Sequence, residues 1–212
     1  MKVINTIMRF IVLILLIFPF VTSNALAKPS NNLGFSNTSN SVNINSVDNT
    51  ILNIHNQERA LVRVPPLVWS NTLAAGAQTW ANHLVTLNSG TFIDNAQLVH
   101  SSQSDRPNQG ENLADMWWTG NGGGPTPTQL VQLWVNEKNG PPVYTDHPLQ
   151  WPGDQRYGHY TQMIWKTTTA VGCATATSSG PVSAAHGGGS GNIVYLVCRY
   201  SPQGNIIGQM PY

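Results

Sequence analysis

The chain holds six histidines but only three glutamates, Glu58, Glu111 and Glu137. Charged residues make up 9% of it. In so uncharged a chain, an acid near the core calls for a physical explanation. Glu111 sits in Gly110-Glu111-Asn112-Leu113, at the mouth of a strand pattern. Glu137 follows Trp134 by three residues, so the two share one helix face. If Trp134 packs inward, Glu137 is drawn to the core edge, where a carboxylate must be paired, hydrogen-bonded or metal-bound. His159 lies in the aromatic and apolar run Gly158 to Trp165, and His100 ends Leu98-Val99-His100 before a polar loop. Neutral imidazoles are ligands for zinc, copper or nickel, and carboxylates can complete such a site. Two histidines and two glutamates can therefore form a metal site or an acid/base constellation. They stand 11, 26 and 22 positions apart, with no His-Glu-x-x-His motif to link them. On spacing alone, four unrelated polar residues is the simpler reading.

The elements that must position these side chains are legible in the pattern. From Val47, the residues Ile51, Ile54, Leu61 and Val62 recur near helical spacing, with Asp48 at the start and Pro65-Pro66 as the stop. Ser70 reads as an N-cap before the amphipathic run Leu73, Ala74, Ala77, Trp80, Ala81, Leu84 and Val85. Thr126-Pro127 opens a third helix carrying Leu130, Val131, Leu133 and Trp134, which stops near Asn139-Gly140-Pro141. Strands are predicted over 112–118, 170–177 and 193–200, where β-branched and aromatic residues collect. Gly122-Gly123-Gly124 and Gly187-Gly188-Gly189 mark connections. The mixed order, without β-α-β alternation, predicts an α+β or three-layer arrangement rather than a Rossmann sheet.

Composition bounds the function. Residues 1–27 read as a signal peptide: Lys2 and Arg9, the apolar run Phe10 to Phe18, and Ala25-Leu26-Ala27 as the cleavage site. That run is shorter than the ~20 residues a bilayer span needs, which weighs against a retained anchor. Residues 28–46 read as a disordered Asn/Ser-rich linker, with a glycosylation sequon at Asn37-Thr38-Ser39. Removing Lys2 and Arg9 leaves eight basic against nine acidic residues. No basic stripe grips phosphates and no basic amphipathic helix suits an anionic membrane, so neither nucleic acid nor stable membrane residence is expected. Cys173 and Cys198 are an even pair in an exported chain, each in a strand pattern, which favours a disulfide over zinc ligation.

Two runs carry a resemblance. Gly158-His159-Tyr160-Thr161-Gln162-Met163-Ile164-Trp165-Lys166-Thr167-Thr168 is similar to the first signature of the CAP family (cysteine-rich secretory, antigen 5 and pathogenesis-related proteins). The run from Tyr195 through Cys198-Arg199-Tyr200-Ser201-Pro202 to Ile206 resembles the second. His55-Asn56-Gln57-Glu58-Arg59, Leu67-Val68-Trp69-Ser70, Gly110-Glu111-Asn112-Leu113 and the Trp134/Glu137 pair resemble further family positions in the expected order. The likeness spans residues 47–212. It implies a three-layer α-β-α sandwich around a short antiparallel sheet, and a cleft holding His100, Glu111, Glu137 and His159 with zinc or another divalent cation. It implies pairing of Cys173 with Cys198. It also implies that the Pro-rich segment 139–157, with Tyr144, Trp151 and Tyr157, contacts an apolar ligand such as a sterol or fatty acid. The chain has two cysteines where many relatives carry six or more, and a cysteine-rich C-terminal module is not expected.

The remaining histidines and tryptophans have plainer expectations. His55 and His83 read as surface or satisfied helix residues, His186 as solvated, and His147 as a neighbour of the cleft at most. Trp69, Trp80, Trp134 and Trp165 read as core, and one of Trp117 and Trp118 must face away from it. The expected function is a secreted, non-enzymatic binder of a small apolar ligand or an extracellular protein target. The alternative is a zinc-dependent extracellular hydrolase with Glu111 or Glu137 as base. Ser101 and Ser102 adjoin His100, but no Gly-x-Ser-x-Gly elbow accompanies them.

Overall fold

The computed structural model describes residues 46–139 and 158–212. Three of the sequence expectations, the leader, the linker and the aromatic segment with Tyr144, Trp151 and Tyr157, lie outside these residues, as does His147. Among the described residues no helix is long and apolar enough to cross a membrane.

Helix α1 spans Ser46–Leu61 and α2 spans Asn71–Leu87. The Ser70 hydroxyl accepts from the Leu73 N–H at 3.3 Å, the N-cap expected from sequence. Helix α3, Pro127–Asn136, begins with a reciprocal capping box between Thr126 and Gln129. It ends three residues earlier than the sequence suggests, passing into a 3-10 turn over Glu137–Asn139. Helix α1 stops at Leu61, ahead of Pro65-Pro66, because Arg63 turns into the left-handed region at φ 60°.

The sheet has four strands: β1 (Val68–Trp69), β2 (Gly110–Trp118), β3 (Ala170–Pro181) and β4 (Ser190–Ser201). Their order is β1-β3-β4-β2. Strand β4 runs antiparallel to both long neighbours, and β1 lies parallel to the start of β3. The two-residue β1 and the short helix α4 (Gly158–Met163) were not visible in the sequence pattern. Both are shorter than the window over which periodicity can be read.

Alternation along β4 divides the molecule into layers. Val194, Leu196, Cys198 and Tyr200 belong to one buried cluster with Ile51 of α1, Leu130, Val131 and Trp134 of α3, and Met163 of α4. Ile193, Tyr195 and Val197 belong to the other, with Ala77, Ala81 and Leu84 of α2. The sheet is thus covered on both faces, so β4 reads as a nearly continuous buried run rather than an alternating one. Trp117 packs with the α2 cluster and Trp118 with the opposite one, so each tryptophan is half-buried against its own layer. Close packing of α2 on the sheet needs Gly172, because a Cβ there would collide with the Ala74 nitrogen and the Ser70 carbonyl. Cys173 and Cys198 face each other in register on β3 and β4 and form the disulfide.

Candidate functional site

Each expected histidine is held by one of the expected glutamates. His100 Nδ1 lies 2.9 Å from Glu111 Oε1, and His159 Nδ1 lies 2.6 Å from Glu137 Oε1. A carboxylate only accepts when ionised, so each Nδ1 carries a proton, and in the neutral imidazole Nε2 is the nitrogen that keeps a lone pair. The imidazoles are 52% and 34% exposed, while the Glu111 side chain is wholly buried.

The first pair is built where the loop after Val99 meets β2. Trp80 of α2 donates its indole N–H to the Val99 carbonyl at 2.9 Å and so fixes the residue before His100. Ser101 is buried and donates to Glu111 twice, N–H to Oε1 at 2.9 Å and hydroxyl to Oε2 at 2.7 Å. Two guanidiniums stand near the same carboxylate, Arg199 Nε at 3.5 Å and Arg106 Nε at 3.7 Å. Burial by itself would raise the Glu111 carboxyl, but the bonds from His100 and from the Ser101 hydroxyl and N–H outweigh it, and the group is held below its ordinary value. Burial pulls the Arg199 guanidinium down from its usual value, against the opposing pull of Glu111.

The second pair joins the end of α3 to α4. Glu137 is the C-cap residue of α3, one turn beyond Trp134, and its Oε2 accepts from the Tyr160 N–H at 2.9 Å. The Trp134 ring stacks on His159, with centroids 5.9 Å apart and planes 15° apart, and its indole N–H donates to the Leu113 carbonyl at 3.0 Å. The tryptophan that draws Glu137 inward therefore also backs the imidazole that Glu137 holds.

A chain of buried bonds supports this half. His55 is fully buried, and its Nδ1 donates to the Ile51 carbonyl at 2.8 Å. That fixes the tautomer, so its Nε2 accepts from the Tyr200 hydroxyl at 2.8 Å. Tyr200 in turn accepts from Asn112 Nδ2 at 3.1 Å, and Asn112 Nδ2 also donates to the His159 carbonyl at 3.0 Å. Burial lowers the His55 imidazole to about 4. Burial also carries the Tyr200 phenol well above its usual value. Glu58 accepts from Lys138 at 2.8 and 2.9 Å and from the Tyr160 hydroxyl at 3.2 Å.

Because Asn112 follows Glu111 on β2 and reaches the His159 carbonyl, both imidazole–carboxylate pairs gather around the first residues of that strand. Among the described residues no three His, Cys, Asp or Glu side chains converge as a ready ligand set. The constellation is two pairs rather than one four-residue cage. Sequence reading missed the supporting residues Ser101, Asn112, Arg199 and Tyr200. The scarcity of charge was a usable signal for Glu58 and Arg59, which are also buried. His83 is exposed and His186 half-exposed, as expected, although His186 Nδ1 is bonded to Asp94 at 2.8 Å.

Comparisons with known proteins bear on the family and the fold. The model of the cysteine-rich secretory protein family, CAP, matches residues 52–200. Pathogenesis-related protein 1B of Nicotiana tabacum is 38% identical over 163 residues, covering 76% of this chain and 78% of that protein. Pathogenesis-related leaf protein 6 of Solanum lycopersicum is 34% identical over 161 residues, covering 76% and 80%. Among solved structures, Na-ASP-1 aligns at a TM-score of 0.60 with 24% identity, over 87% of this chain and 46% of that one. NaASP2 with Zn2+ aligns at 0.58 with 20% identity, over 81% and 88%. These two likenesses concern the fold. Taken with the signature runs on α4 and β4, the family match and the pathogenesis-related relatives show that this chain belongs to the CAP family.

Proposed function

We propose that this is an exported binding protein in which His100 and His159 hold a divalent cation, zinc by preference, beside a site for a small apolar ligand. The observation that carries the reading is the commitment of both Nδ1 atoms to carboxylates. A metal-ligating histidine commonly donates its other ring N–H to a carboxylate, which fixes the tautomer and makes the free nitrogen a better ligand. The donor set fits zinc: two neutral imidazole nitrogens, with the remaining positions left to water or ligand. When bound, the cation supplies a Lewis-acidic centre for an oxygen-bearing ligand. The chain's own part is to hold the two imidazoles oriented, with Nδ1 engaged, and partly exposed.

Binding is favoured over hydrolysis by the state of the two carboxylates. Glu111 accepts from His100 and twice from Ser101, and Glu137 from His159 and the Tyr160 N–H. A general base needs a lone pair aimed at the proton it removes. These oxygens are aimed at their own supporting donors. The family's resemblance-derived expectation assigns the apolar ligand to segment 139–157, with Tyr144, Trp151 and Tyr157. The relative solved with Zn2+ shares the fold, and the name of the family speaks of secretion; both support the reading.

Calorimetric titration of zinc into the exported protein tests it. His159→Ala and His100→Ala should each weaken binding tenfold or more. Glu137→Gln, which keeps an acceptor but loses the charge, should weaken it by a smaller factor. Wild-type protein that takes up no zinc, or variants that bind as tightly as wild type, would end the proposal. Mass spectrometry of lipid carried through purification, compared with a 139–157 deletion, tests the apolar ligand.

A further inference from the structure

Helix α2 presents Gly76, Thr79, Trp80 and His83 at spacings of three, four and seven residues, a single stripe. With Asp105 and Arg199 they line an open groove of about 370 Å³. That volume is within the range of small-ligand sites.

The wall of the groove is aromatic and fixed. The Trp80 and His83 rings stack with centroids 4.3 Å apart and planes 21° apart. The bond from Trp80 to the Val99 carbonyl locks the indole. The floor is a buried guanidinium that is also fixed. Arg199 Nη1 donates to the Asp105 carbonyl at 3.0 Å and Nη2 to the Ser101 hydroxyl at 3.2 Å. Those bonds use two of its five N–H groups. The helix passes close to it at Gly76, where an added Cβ would stand 3.3 Å from Arg199 Nη1, a tight contact. Thr79 donates its hydroxyl proton to the Ala75 carbonyl at 3.1 Å, which leaves its oxygen free to accept. Asp105 Oδ2 accepts from the Ser102 hydroxyl, and the exposed carboxylate retains further acceptor capacity.

The chemistry narrows the occupant. Arg199 is balanced by Glu111 beneath it, and Asp105 adds a negative charge at the groove. An anion would meet Asp105, and a cation would meet Arg199. An apolar ligand would leave the guanidinium N–H groups and the carboxylate desolvated without partners, which is unfavourable. A neutral ligand with hydroxyls that both donate and accept, and with a flat C–H face, satisfies all of these walls. We propose that the α2 groove binds an uncharged saccharide, its ring face laid against Trp80 and His83 and its hydroxyls bonded to Arg199 and Asp105. This site involves neither His100 Nε2 nor His159 Nε2, so it stands independently of the cation reading.

The test is a ¹⁵N NMR titration of the exported protein with three neutral tetrasaccharides (cellotetraose, laminaritetraose and chitotetraose) and with tetragalacturonate as the anionic counterpart. At least one neutral probe should shift the Trp80 indole N–H resonance saturably at millimolar concentration or below. His83→Ala and Asp105→Ala, both at exposed positions and so compatible with folding, should each weaken that binding tenfold or more. Addition of EDTA should leave it unchanged. No shift with any neutral probe overturns the proposal, as does a shift that survives both groove substitutions. Binding of tetragalacturonate alone overturns the assignment to a neutral ligand.

Discussion

Acidification should cost this protein stability through one buried imidazole, His55. In the folded state its Nδ1 donates to the Ile51 carbonyl and its Nε2 accepts from the Tyr200 hydroxyl. A second proton would turn Nε2 into a donor facing a hydroxyl that already donates to it. Burial is the main reason the imidazole falls from 6.5 to about 4, with the nearby Arg59 charge acting in the same direction against the opposing Ile51 bond. The sign follows from linkage. The folded value is depressed, so the unfolded chain binds the proton first, and the contribution is complete above pH 6.5. It is lost as pH falls from 6.5 towards 4. Each unit in that window is worth ~1.4 kcal/mol, so the whole fall amounts to about 3 kcal/mol. Urea unfolding of wild type and His55→Gln at half-unit steps from pH 8 to 4 isolates the effect from other titrating groups. The variant should be less stable at pH 8, and the gap should close by about 3 kcal/mol on descending to pH 4. A gap that stays constant across that range would refute the neutral, two-bonded imidazole, and with it the tautomer assigned to the Tyr200–Asn112–His159 chain.

Other perturbations have outcomes set by the same structure. Arg59 is fully buried and donates to the carbonyls of Pro65, Met163, Trp165 and Thr168, so Arg59→Met should destabilise by at least ~3 kcal/mol by leaving these acceptors unpaired, measured by thermal unfolding. Gly172→Ala should cost ~1–3 kcal/mol or more, since the added methyl meets backbone of α2 that cannot rotate away, and a variant as stable as wild type would remove the close-approach argument. Cys173 and Cys198 should resist alkylation until reduced, and reduction should lower stability by about 3 kcal/mol. Glu111 has a depressed carboxyl, so its contribution is present above its ordinary value and is lost as pH falls below it. Glu111→Gln should therefore be more damaging at pH 7 than at pH 3, and equal damage at both would mean that the carboxylate charge is not what holds Ser101 and His100.

Much of this fold was legible because the signals were long. The Ser70 and Thr126 caps, the α2 stripe and the three long strands extend over windows in which period and capping chemistry can be counted. The pairing of cysteines followed from their places on two strands that turned out to be neighbours in register. The four residues at the two imidazole–carboxylate pairs were identified by residue type and by likeness to the family signatures, whereas spacing carried almost nothing. What escaped was set by tertiary context. Helix α4 has six residues, and its bonds to Glu137 and Asn205 come from distant parts of the chain. His55 looked like a satisfied helix residue, and it is one, but its partner is a tyrosine 145 positions away. No local pattern announces such a bond.

The division of β2 between two layers explains how so sparse a charge set can organise the site. Glu111 lies opposite Arg199 and is held from the α2 side by Ser101 and His100. Asn112 lies opposite Cys198, and through Tyr200 and the His159 carbonyl it works on the α1–α4 side. Adjacent residues on a strand point to opposite faces, so a single dipeptide addresses both imidazole pairs at once. A one-residue slip of β2 would exchange the two faces, burying Asn112 against Arg199 and turning Glu111 toward the Tyr200–His55 bond, where the nearby Arg59 cation is already committed to four backbone carbonyls. The buried charge therefore specifies register as well as stability. Glu111→Leu, which removes the penalty for the wrong register, should lose more conformational uniqueness than its cost in stability implies. Amide exchange along β2 and β4 reads that difference, and β2 amides protected as strongly as in wild type would show that the apolar alternation of β4 alone fixes the pairing.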